Sequence, residues 1–129
     1  MSKNHLIVIY ILLAILTFFT FSQKTGKTTD LDDIKNRVIK VEFLQEATRI
    51  RDNLVGFKQV NASLANDAER IKSCNESKDL LIEWSEDVKK LGNNYSDRIN
   101  NNQDAKEYFD AISKLNDAIA ADCNKLTSN

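Results

Sequence analysis

FLQEATRIRDNLVGFKQVNASLANDAERIKSC, residues 43–74, decides the fold, because its apolar positions recur in strict alternation of three and four. Ala47, Ile50, Leu54, Phe57, Asn61, Leu64, Ala68 and Ile71 share one helical stripe, about four heptads long. If Ala47, Leu54, Asn61 and Ala68 take the a positions, Ile50, Phe57, Leu64 and Ile71 take d. Asn61 is then the single polar a residue, of the kind that sets register in a coiled coil. Glu46 and Asp67 fall at g, and Arg51, Lys58 and Lys72 at e. Glu46 can thus face Arg51, and Asp67 Lys72, across a parallel pair of chains. The same seam also serves as the buried stripe of an ordinary bundle helix, and this is the favoured reading. Gly56 occupies an outward c position, where glycine is about 1 kcal/mol worse than alanine.

Working outward, Leu31, Ile34, Val38 and Val41 keep helical spacing before the phase changes at Phe43. Thr28, Thr29 and Asp30 offer an N-cap there, and Asp32 and Asp33 suit a first helical turn. Downstream, residues 75–77 form a polar break, followed by the stripe Leu81, Trp84, Val88 and Leu91 and the helix stop Gly92-Asn93-Asn94. Tyr95 and Ile99 continue that phase. Asn100-Asn101-Asn102 reads as a turn, and Asp104 is placed to cap a last helix striped by Ala105, Phe109, Ile112, Leu115, Ile119, Cys123 and Leu126. Proline is absent and glycine occurs three times in 129 residues, so little interrupts a helix. The expected class is all-α: a three- or four-helix up-down bundle over residues 30–126, with the option of a long heptad-bearing first helix. A polar tail, 127–129, follows.

Cys74 and Cys123 supply the tertiary clue. A first unit rising to 74, a second descending over 77–99 and a third returning over 103–126 bring both cysteines to one end. The two later legs, roughly 35 Å each at 1.5 Å per residue, match in length. An intrachain bridge is favoured over free thiols or an interchain bond.

The run LIVIYILLAILTFFTFS, residues 6–22, lies between Lys3 and Lys24 and directs the chain to a membrane. Its length lies between the core of a secretory signal and a full transmembrane span, so residues 1–22 fit either a cleaved signal peptide or a retained anchor. Residues 23–29 form a linker. Two cysteines favour export of the remainder to the periplasm or the exterior, or its display outside an anchoring membrane.

Chemistry is sparse beyond the run. The single histidine is His5, so neither a histidine-based nucleophile nor a histidine metal site can be assembled downstream. The Asp30-Leu31-Asp32-Asp33 cluster lacks the glycine and the distal glutamate of a calcium loop. No cofactor is expected. Near-balanced charge, 18 basic against 19 acidic residues, argues against a nucleic-acid partner. Asn61, Asn75 and Asn94 each begin an Asn-x-Ser sequon, close to chance frequency in so asparagine-rich a chain. Trp84 and Phe109 are the candidate contacts for a partner or ligand, with core packing the simpler role for Trp84.

The expected function is that of an exported, non-enzymatic helical module that binds another protein. One alternative is a carrier holding a small apolar ligand near Trp84 and Phe109. Another is a homodimeric coiled-coil stalk, anchored through residues 6–22. An apolar run, a helical stalk, a cysteine and a final amphipathic helix ending near a second cysteine make a layout that resembles the inner-membrane spanins of phage lysis. That resemblance covers organisation and no motif, and it implies a membrane-anchored parallel dimer.

Overall fold

Helix-permissive composition is realised throughout. The computed structural model describes the backbone of residues 3–128 and the side chains of residues 11–15 and 31–128. Among the described residues all regular structure is helical: α1 (Lys3–Ser63), α2 (Asp67–Glu76), α3 (Lys78–Asn94), α4 (Ser96–Asn101) and α5 (Gln103–Thr127). The chain divides into two compact units, Met1–Val41 and Glu42–Asn129.

In the first unit the expected helix start over residues 28–30 is not one, because α1 begins at Lys3. No proline and only one glycine stand in residues 3–41 to stop it. Leu31, Ile34, Val38 and Val41 are all exposed, and Arg37 pairs with Asp33 one turn earlier at 2.9 Å. No helix among the described residues is long and apolar enough to cross a membrane. Apart from residues 11–15, the side chains of the membrane-directing run 6–22 and of the linker 23–29 lie outside the described residues.

The second unit is a helical bundle whose core is apolar. Phe43, Ala47, Ile50 and Leu54 of α1, spaced four, three and four, are at most 1% exposed. They pack with Val88 and Leu91 of α3, Ile99 of α4, and Ala105, Ile112 and Ile119 of α5. Burying an apolar side chain of this size contributes about 1.5–3 kcal/mol. Phe43 meets Tyr95 edge to face at 5.5 Å, and Phe57 meets Trp84 at 6.1 Å. Polar ties fix the rotation of the helices: the Arg49 guanidinium donates to Asp87 at 3.1 Å, Thr48 and Tyr108 share a hydrogen bond of 3.2 Å, and the Ser85 hydroxyl donates to Asn116 at 3.1 Å. The Cys74–Cys123 disulfide joins α2 to α5 with its Cα atoms 5.6 Å apart.

The heptad seam holds only for its first half. α1 ends at Ser63, whose hydroxyl donates to the Val60 carbonyl, and a new helix starts after Asn66. The Asn66 side chain accepts from the Glu69 amide at 2.9 Å, while the Glu69 carboxylate accepts from the Ala65 amide at 3.1 Å. Short polar side chains that compete for backbone groups thus override an unbroken three-four pattern. As a result Ala68 is exposed, and the d residues Leu64 and Ile71 are only half-buried. The charges assigned to an interchain pairing find partners within the chain. Asp67 meets Arg70 at 3.5 Å, Lys72 meets Glu76 at 3.7 Å, and Arg51 binds Asp52 while its guanidinium lies 5.7 Å from the Tyr108 ring centroid. Partial burial, with the carboxylates of Glu46 and Glu42 nearby, pushes the Tyr95 phenol above its ordinary pKa. Replacing Asn66 with alanine removes the cap of α2 and should lower stability by about 1 kcal/mol, read from urea denaturation.

The remaining boundaries lie close to the expected ones. α3 runs through the expected Gly92-Asn93-Asn94 stop and is capped at Tyr95, and α4 takes in Asn100 and Asn101, so of the expected asparagine turn only Asn102 is non-helical. The cap of α5 is Asn102, whose side chain accepts from the Ala105 amide at 2.9 Å, and not Asp104, which sits in the first turn. Gly92 does not end α3, which continues to Asn94, but it has a packing role. A Cβ there would lie 2.8 Å from the tip of the Phe109 ring, so glycine lets α5 seat that ring against α3. Gly56, in contrast, has nothing within 4 Å of an added Cβ. Gly56→Ala should therefore raise the melting temperature, reflecting about 0.5–1 kcal/mol of helix propensity, whereas Gly92→Ala should lower it. A thermal melt of each variant checks the two signs.

Candidate interaction cleft

The break between α1 and α2 opens a cleft of about 480 Å³ against the end of α5. Its apolar lining comes from Phe57 and Ala62 of α1 and from Ile119 and Leu126 of α5. Around it stand Lys58, Arg70 and Lys125 with two carboxylates, Asp67 and Asp122. An apolar floor inside a charged rim is the usual anatomy of a surface that recognises protein. Continuing α1 straight through residues 64–66 would have carried Arg70 away from Asn61. The polar break at Asn66 brings both into the same wall.

Two polar atoms of that wall are shielded from solvent and have no hydrogen-bond partner among the described residues, the Asn61 Oδ1 and the Arg70 Nε. One is an acceptor and the other a donor. Each shielded polar atom left unmatched costs about 1–3 kcal/mol, a local cost the rest of the fold has to carry.

Trp84 and Phe109, the contacts expected from sequence, occupy separate places. Trp84 is half-buried behind Phe57, which it meets edge to face, and so supports the cleft without lining it. Phe109 rests on Gly92, eight residues further along α3, or about 12 Å at the helical rise. Cys74 and Cys123 are joined, and they line a second cleft of about 490 Å³ with Leu81, Ile82 and Lys89. Asn61 stood out in the sequence as a register residue, whereas here it is part of the cleft wall. Arg70, Asp122, Lys125 and Leu126 carried no signal beyond helical spacing. The clue that could have found them is Asn66 followed by Glu69, an N-cap pattern set inside the heptads.

The glutamate–aspartate pairs one turn apart on α3, Asp79 with Glu83 and Glu83 with Asp87, do not form a joint site. Asp79 and Glu83 are exposed, and Asp87 binds Arg49 and lies 3.9 Å from the Lys90 ammonium. Comparison of the chain with models of protein families, with characterised proteins and with solved structures finds no match.

Proposed function

We propose that this chain is an exported, non-enzymatic helical module that binds a segment of another protein in the cleft between α1, α2 and α5. The apolar floor of Phe57, Ile119 and Leu126 set among the charges of Lys58, Asp67, Arg70, Asp122 and Lys125 carries this reading. Phe57, Ile119 and Leu126 offer a place for an apolar side chain of the bound segment, and the surrounding charges of both signs suit a polar backbone on either side of it. The Cys74–Cys123 bridge supports placement in an oxidising compartment. Residues 6–22 would take the chain there, as a cleaved signal or as an anchor.

The carrier alternative is weaker, because Trp84 and Phe109 lie in different layers of the bundle and neither lines the clefts described above. The stalk built on residues 47–71 is weaker too, since Ala47, Ile50 and Leu54 are already covered within one chain.

Photo-crosslinking in the native compartment tests the reading. A photoreactive residue at Leu126 should give a discrete protein adduct, and the same group at Lys106, exposed near the start of α5, should give none. Lys58→Glu in the Leu126-labelled chain, which reverses an exposed charge beside the apolar floor, should weaken the adduct while leaving the melting temperature of the free protein unchanged within a few degrees. No adduct from Leu126, or an adduct unaffected by Lys58→Glu, contradicts the proposal.

A further inference from the structure

The first unit carries an apolar stripe that the bundle does not use. Leu31, Ile34, Val38 and Val41 follow one another at three, four and three residues, and they are 65%, 56%, 49% and 51% exposed. This seam has its own phase, distinct from the one that begins at Phe43, and shares no residue with the core. With Leu31 and Val38 at a and Ile34 and Val41 at d, the flanking g positions are Asp30 and Arg37 and the e positions are Lys35 and Glu42.

We propose that Leu31, Ile34, Val38 and Val41 form a docking surface for a second copy of this chain. The pattern of charge beside the stripe is self-complementary, which is what selects a copy over an unrelated partner. In a parallel pair in register, Asp30 of each chain meets Lys35 of the other, and Arg37 meets Glu42. In an antiparallel pair, Asp30 meets Arg37 and Lys35 meets Glu42, again with opposite signs. A parallel slip by one heptad places Asp30 against Glu42 and Arg37 against Lys35, so like charges oppose the wrong register. The exposed pair of Arg37 with Asp33 within the chain is a weak competitor, of the kind that contributes little in water. The apolar repeat runs only from Leu31 to Val41, bounded by Lys27 and Gln45 at the next seam positions, so association is concentration-dependent. This surface is independent of the cleft and of what binds there.

The test is sedimentation equilibrium of the full chain in density-matched detergent micelles over a range of protein-to-detergent ratios. The unaltered chain should self-associate as the ratio rises, and Val38→Asp should remain monomeric with the melting temperature of the bundle unchanged. Two charge variants add a readout that general stickiness would not produce. A chain with Lys35→Glu and Arg37→Glu has four acidic flanks, and a chain with Asp30→Lys and Glu42→Lys has four basic ones. Each alone should be monomeric, and the two mixed should associate at least as well as the unaltered chain. A monomeric unaltered chain at every ratio, association that survives Val38→Asp, or a mixture that fails to associate would overturn the proposal.

Discussion

Replacing Cys74 and Cys123 together with serine should cost the bundle about 4 kcal/mol. The bridge closes a loop with a sequence separation of 49 residues. On the chain-entropy model, opening a loop of that length returns about 4 kcal/mol of freedom to the unfolded chain. A single domain of this size has only about 5–15 kcal/mol of total stability, and each kcal/mol moves its melting temperature by roughly 4–8 °C. The expected fall is therefore on the order of 15–30 °C, and reductant should produce the same fall in the unaltered protein. The effect should concentrate at one end of the molecule, because the disulfide holds α2, a helix of ten residues, to the last turns of α5. Helices this short are marginal without tertiary support. Amide exchange in α2 should accelerate in the variant at temperatures where α3 and the centre of α5 remain protected. A melting temperature within a few degrees of the parent would mean that α2 docks without the bridge.

The second large effect is expected at the heptad face. Leu54 is fully buried, so Leu54→Ala should cost about 2–5 kcal/mol through lost transfer energy and the cavity left behind. Destabilisation alone does not separate a bundle core from a coiled-coil seam, since both need leucine there. Ala47 separates them. In a two-stranded seam an alanine at a is underpacked, and Ala47→Leu would stabilise the assembly. In this structure Ala47 is 0% exposed in a core with Phe43, Ile50 and Leu91, so the larger side chain has to displace neighbours and should cost about 1–3 kcal/mol. Urea denaturation at two protein concentrations reads both the sign and any dependence on association.

These two positions also show what could be read from the sequence and why the reading stopped where it did. The stripe Ala47, Ile50, Leu54 and Phe57 was legible as a buried helix face because apolar spacing reports burial directly. What buries it was not legible, since a partner chain and the rest of one's own chain present the same kind of surface. Past Phe57 the spacing continued but the fold did not. Asn66 and Glu69 close a cap inside the pattern, and a local hydrogen-bond preference there outweighs a periodicity that Leu64, Ala68 and Ile71 support only weakly. The bridge between Cys74 and Cys123 could be expected because helix lengths alone bring the two residues to one end. The cleft could not, because it depends on where α1 stops. Nor could the role of Gly92, which reads as a helix stop but also makes room for Phe109.

In this structure one chain closes its own bundle through the Cys74–Cys123 bridge, with the face of Ala47, Ile50 and Leu54 turned inward. The most direct measurement mixes chains of natural and heavy isotopic composition, unfolds and reduces them together, refolds them under oxidising conditions, and maps the linked peptides by mass spectrometry without reduction. The expected result is a Cys74–Cys123 linkage found only as light–light and heavy–heavy pairs, at every refolding concentration. Mixed light–heavy pairs in the statistical proportion, or Cys74 linked to Cys74, would contradict it.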